Sequence, residues 1–196
     1  MPVSVGGMTN EFAEAHRAAA ATFTDRINGV TDWDAPAPVA GWTARSVVEH
    51  LIEWFPGMLA AGSDARIPDG PDPASDLVAA WEHQRDAVQA LLEDPATAGK
   101  TYSSPMTGDM PLPVMISNFY TADVFMHTWD LARATGQDDR LDEAAASQML
   151  AGMEPIEEML RGSGQFGTGR GPLHADADAT DRLISFIGRD PYWTAP

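Results

Sequence analysis

The chain contains no cysteine. Disulfides, thiolate zinc sites and a protein-borne thiol nucleophile are therefore excluded, and any sulfur chemistry has to be brought by a small-molecule thiol. Lysine is nearly as scarce: Lys100 stands alone, so no polybasic stretch exists. Twelve basic residues against 29 acidic leave a net charge of −17, which repels phosphate backbones and anionic lipid surfaces alike. Neither nucleic acid nor a membrane is an expected partner. Long hydrophobic runs are missing too, none approaching the roughly 20 residues of a membrane span. The opening "MPVSVGGMTNEF" has no basic patch followed by an apolar stretch, so no secretory signal is read and the cytoplasm is the default compartment.

What remains is ordinary for a folded protein: 196 residues, 44% apolar and 21% charged. That length suits one domain over residues 1–196, a bundle over about 9–160 followed by a C-terminal tail over 161–196. Phe12, His16, Ala19, Phe23 and Ile27 recur at helical spacing, which predicts a first helix over 9–28 with Thr9 or Asn10 as N-cap. The connector "TDWDAPAPVAGW" breaks it, and Thr43 caps a second helix striped by Val47, His50, Leu51, Trp54 and Met58. A third helix is predicted over 75–93, with Leu77, Trp81, Val88, Leu91 and Leu92 inward.

Residues 95–113 hold four prolines and two glycines, an excursion with room for a short hairpin. A fourth helix starts near Pro113, carries Ile116, Phe119, Asp123, His127, Leu131 and Ala134 on one stripe, and ends at Gly136 as C-cap. A fifth helix is expected over about 141–160, a Gly-rich irregular segment follows, and "TDRLISFIG" forms a short helix before "RDPYWTAP". The expected fold class is all-α, an up-down four-helix bundle with short C-terminal helical additions.

In the segment "FMHTWDLARATGQ" the buried stripe is polar. Asp123 and His127, four residues apart, project from adjacent turns of one helix face, and His50 occupies an interior position on the second helix. Burying a carboxylate and two imidazoles without partners would cost several kcal/mol. A divalent metal would relieve that cost. Two imidazole nitrogens and a carboxylate oxygen suit zinc first, with nickel or iron(II) as alternatives, and three protein ligands leave a coordination position open for water or thiol. Taken singly each residue has a plainer reading: a core histidine for His50 and for His127, and a helix-surface hydrogen-bonded pair for Asp123 with His127.

Three stretches, "GWTARSVVEHLIEW", "DVFMHTWDLARATGQ" and "DRLISFIGRDPYW", resemble the actinobacterial metal-binding branch of the DinB-like superfamily, grouped with the mycothiol-dependent maleylpyruvate isomerases. The resemblance runs from about residue 10 to the end. It implies a four-helix bundle holding a metal through His50, Asp123 and His127, and a thiol-dependent transferase or isomerase with mycothiol as co-substrate. The isomerases carry Glu where this chain has Asp123, and a separate C-terminal domain where this chain has a short tail, which argues against maleylpyruvate isomerisation itself.

Other polar residues read as follows. Asp130 could orient His127 from behind, but first suggests a helix-surface ion pair with Arg133 or Arg161. Glu53 reads as solvated, and His83 as a surface residue. His16 is a core histidine bonded across the bundle, or an additional ligand or proton carrier. His174 sits in a loop with three acids whose spacing matches no calcium loop. Trp42, Trp54, Trp81 and Trp129 are packing residues first and pocket walls second. Arg170, among glycines, could clasp an anionic substrate over the open end of the bundle. Three functions compete: the metal-dependent enzyme, a non-catalytic small-molecule or metal binding protein using the same pocket, and a helical scaffold with an empty site. Homodimerisation is left open.

Overall fold

A computed structural model describes residues 5–105, 107–169 and 173–196, without the side chains of residues 5–10. Arg170 lies outside the described residues. Four long helical stretches make the bundle: α1 (Val5–Asn28), α2 (Ala44–Gly62), α3 (Leu77–Glu93), and a continuous fourth stretch. That fourth stretch is α5 (Leu112–Met115), a π-helical segment (Ile116–Thr121) and α6 (Ala122–Thr135). Between the third and fourth lie α4 (Pro95–Ala98) and an antiparallel hairpin of β1 (Thr101–Ser104) and β2 (Gly108–Pro111), so the proline-rich excursion does hold a hairpin. No described helix is long and apolar enough to cross a membrane.

The helix ends follow from local chemistry. Thr43 accepts from the Ser46 amide while Ser46 accepts from the Thr43 amide, a reciprocal cap that starts α2. Asp76 caps α3 in the same spirit. Gly136, at φ 68°, closes α6 in the left-handed region that glycine enters without strain. At the N-terminus the helix already runs from Val5, which puts Thr9 and Asn10 inside it rather than at its start. The expected fifth helix is interrupted: α7 (Glu143–Met153) and α8 (Glu157–Gly162) flank a 3-10 turn at Glu154–Ile156, because Pro155 removes an amide donor.

Helix directions can be read from side-chain pairs. His16 meets Gln89 and Thr24 meets Trp81, so α1 and α3 are antiparallel. His50 meets Asp123 and Phe55 meets Tyr120, so α2 and α6 are antiparallel as well. His16 packs by Tyr120 and Arg26 by Gln137, which makes α1 and α6 parallel. The four directions are therefore up, down, down, up. Around the bundle the neighbours run α1, α3, α2, α6 and back to α1, and the chain segment 63–76 has to return along the bundle before α3 begins.

The main core joins Phe23, Val47, Leu51, Phe55, Trp81, Val88, Leu112 and Tyr120. A second apolar cluster covers the far side of α6: Met126 and Trp129 pack with Leu141 just before α7, with Ala146 of α7, with Leu183 and Ile184 of α9 (Ala179–Phe186) and with Ile187 in the turn after it. Consequently every residue from Met126 to Ala132 is buried. The π-helical segment advances the seam by one position, so Tyr120 is fully buried while Phe119 is only half-buried.

Candidate functional site

The seam between α2 and α6 brings His50, Asp123 and His127 together, one ligand-type atom from each lying within 4.8 Å of the others. His50 Nε2 is 3.1 Å from Asp123 Oδ2, and His127 Nε2 is 3.4 Å from Asp123 Oδ1. The imidazole centroids are 5.0 Å apart. His127 is closed in, with 5% of its side chain exposed, whereas His50 keeps 31% and Asp123 20%. The cluster therefore opens to solvent on the His50 side. His50, expected at an interior position, sits at this rim, one helical step away from the fully buried Val47 and Leu51.

Two tryptophans frame the cluster. Trp54 donates its indole N–H to Asp123 Oδ2 at 3.0 Å, and Trp42, from the connector before α2, lies 5.0 Å from the His50 ring and 5.7 Å from that of His127. Trp81 and Trp129 stay in the two cores. The expectation of packing first and walls second thus divides by residue.

Behind His127 the structure departs from the sequence reading. Asp130 is completely buried and pairs with neither Arg133 nor Arg161. Its Oδ2 accepts from His127 Nδ1 at 2.8 Å and from Arg189 Nη2 at 3.2 Å, and its Oδ1 accepts from Arg189 Nε at 3.3 Å. Arg133 bonds Asp139 and the Pro191 carbonyl, and Arg161 bonds Glu157 and the Phe186 carbonyl. The reason is the second apolar cluster: it covers the face of α6 that a single inward stripe leaves to solvent. Arg189 was the residue sequence reasoning missed, although it lies within the quoted stretch "GRDPYW".

These contacts fix the electrostatics. Burial raises the tendency of Asp130 to hold a proton, but the bond from His127 and the Arg189 charge outweigh it, and its pKa lies below the ordinary value. With an ionised acceptor at Nδ1, His127 carries its proton there. Its Nε2 faces Asp123 Oδ1 at 3.4 Å, a gap that a proton on Nε2 or a bound cation can bridge. Accordingly, although burial pulls the His127 pKa down, Asp123 and Asp130 more than compensate, and it stands above the ordinary value.

The remaining sequence candidates fall elsewhere. His16 is buried, with Nδ1 2.7 Å from Gln89 Oε1, the across-bundle bond expected of a core histidine. His83 is half-buried and donates from Nε2 to the Pro68 carbonyl, 2.9 Å away, pinning the 63–76 connector. His174 packs edge-on against Tyr192. Glu53 is exposed, as expected. A hollow between α1 and α3, lined by Arg17, Thr24, Arg85 and Gln89, lies on the seam opposite the cluster.

The profile of the mycothiol maleylpyruvate isomerase N-terminal domain matches residues 15–132, well over half of the chain and the whole of the seam that carries the cluster. The chain belongs to that family. Two family-sized relatives are similar over 156 residues at 31% identity, covering 79% of this chain and 83% of theirs. They are the uncharacterized protein MT0763 of Mycobacterium tuberculosis strain CDC 1551 / Oshkosh and the uncharacterized protein Rv0738 of strain H37Rv. No solved structure matches the chain. Arg189 lies beyond the part that the family profile spans.

Proposed function

We propose that this member of the family is a metal-dependent enzyme, a small-molecule-thiol-dependent S-transferase or isomerase, in which His50, Asp123 and His127 hold a divalent cation, zinc before nickel or iron. The observation that carries the reading is the convergence of one ligand-type atom each from His50, Asp123 and His127 within 4.8 Å, with the other ring nitrogen of His127 committed to Asp130. The donor set of two imidazoles and one carboxylate suits zinc, and three protein donors leave room for an exogenous ligand. When bound there, a divalent cation lowers the pKa of a thiol or water by stabilising its anion.

The chain's own residues account for the rest. Asp130 holds His127 in one tautomer, Trp54 fixes Asp123 by its indole N–H, and Trp42 screens the two imidazoles. The exposed flank of His50 is the approach for a co-substrate. With no cysteine in the chain, the thiol has to be a separate molecule, for which mycothiol is the candidate that the family's name offers.

Elemental analysis of freshly purified protein, followed by Zn²⁺ titration, tests the reading. One equivalent of divalent metal, displaced by chelator and restored by Zn²⁺, supports it; protein that neither carries nor takes up metal would sink it. Turnover of a thiol with an electrophile then separates an enzyme from a protein that merely retains metal or ligand.

A further inference from the structure

We propose that the C-terminal segment is a working part of the site. Arg189 holds the Asp130 carboxylate in the one orientation that orders His127, so docking of residues 187–193 and cation binding at the seam strengthen each other. The inference rests on the reading of His50, Asp123 and His127 as a cation site.

The geometry is a relay of fixed orientations. Arg189 approaches Asp130 side-on, Nε to Oδ1 and Nη2 to Oδ2, which stops the carboxylate from turning. The oxygen so held also accepts from His127 Nδ1 at 2.8 Å, which sets the ring so that Nε2 faces Asp123 and the His50 ring. Asp130 is wholly buried and His127 nearly so, too deep for water to replace a lost partner. Removing the guanidinium would leave a buried carboxylate free to rotate away from the imidazole.

Arg189 is itself placed by the fold. The chain leaves α9 through Ile187, which is buried in the second cluster, and turns at Gly188 with φ +90°. A Cβ on Gly188 would stand 2.6 Å from the Gly167 backbone, so this turn depends on glycine packed against glycine. Two residues after Arg189, the Pro191 carbonyl accepts from Arg133 at 2.6 Å, giving the segment a second tie to α6. A relay of this kind is reciprocal: what helps the cation bind by docking the segment is matched by a cation that helps the segment dock.

The test uses the full chain and Co²⁺ alone, read by visible absorption and by competition with Zn²⁺. Asp130→Asn is expected to weaken Co²⁺ binding about 10- to 100-fold, the range typical of a residue that orients a metal-bound histidine. Arg189→Gln should weaken it by about 10-fold and shift the absorption band, Arg189→Lys should recover part of the loss, and the double variant should bind no worse than Asp130→Asn alone. In the unaltered protein Co²⁺ should slow amide exchange across 187–193, which keeps the test open even if a variant folds poorly. Unchanged affinity and spectrum in Arg189→Gln, with a melting temperature lowered equally with and without Co²⁺, would overturn the proposal. So would amide exchange indifferent to Co²⁺. Failure of the unaltered protein to bind Co²⁺ or Zn²⁺ instead defeats the underlying metal reading.

Discussion

Two histidines are almost fully buried on opposite seams of this bundle, and the protein treats them in opposite ways. His16, between α1 and α3, has a neutral amide for a partner: Gln89 accepts from its ring while donating to the Ala13 carbonyl and Glu93. Burial dominates there and lowers the His16 pKa, the Gln89 bond offsetting it only in part. His127, on the α2 and α6 seam, stands between two carboxylates, and its pKa is raised despite equal seclusion. A buried imidazole is thus not informative by itself. What surrounds it decides whether the site is a neutral packing element or a place that favours a positive charge.

The comparison can be broken most directly by truncation. His127→Ala is expected to lower Zn²⁺ affinity by more than about 100-fold, beyond the usual effect of outer partners, while His16→Ala leaves it unchanged. Competition with a chromogenic chelator measures both, and equal losses would erase the distinction. A finer cut is Trp54→Phe, which removes one hydrogen bond to Asp123. About 1 kcal/mol, or roughly 5-fold in Zn²⁺ affinity, is expected by calorimetry, with the metal-free protein folded as before.

Thr43→Ala acts on the start of α2 rather than on the cluster. Losing the reciprocal cap should cost about 1 kcal/mol of folding stability by urea titration, in the presence of metal as in its absence. The smallest effect concerns acid. Because the folded state resists protonation of His16, the unfolded chain takes up that proton first as pH falls through about 6.5, and stability declines from there downward. His16→Gln removes this contribution, so its stability should fall less than that of the unaltered chain between about pH 7 and pH 5 in metal-free urea titrations. A steeper decline would mean that His16 is charged in the fold.

The helical bundle and the three residues of the cluster were legible because they obey short-range rules. Asp123 and His127 are one turn apart, and His50 falls on a stripe whose neighbours Val47 and Leu51 are fully buried. Of the two readings of Asp130, the bond that orients His127 holds and the surface ion pair with Arg133 or Arg161 fails, for a physical reason: helical periodicity reports one buried face, and α6 has two. The second is created by residues 141–187, and the other partner of Asp130, Arg189, lies 59 positions away, where no local spacing announces it. Tyr120 displaces Phe119 at the core because the π-helical turn breaks the period on which the stripe was counted. Likewise Trp42 and Trp54 carry no mark in the sequence that distinguishes them from Trp81 and Trp129; only the directions of the helices place the first pair at the cluster.

The up, down, down, up winding has a kinetic consequence. Parallel neighbours cannot be closed by tight turns, so His16 reaches Tyr120, and Arg26 reaches Gln137, only after loops of some hundred residues have been gathered in. Such distant pairings are entropically slow to form, and the seam that holds His50 against Asp123 spans 73 positions. A nascent chain or fragment stopping at α3 would therefore present His50 alone, and the cluster proposed to hold an ion should form late, in one step, with the closing of the fourth helix.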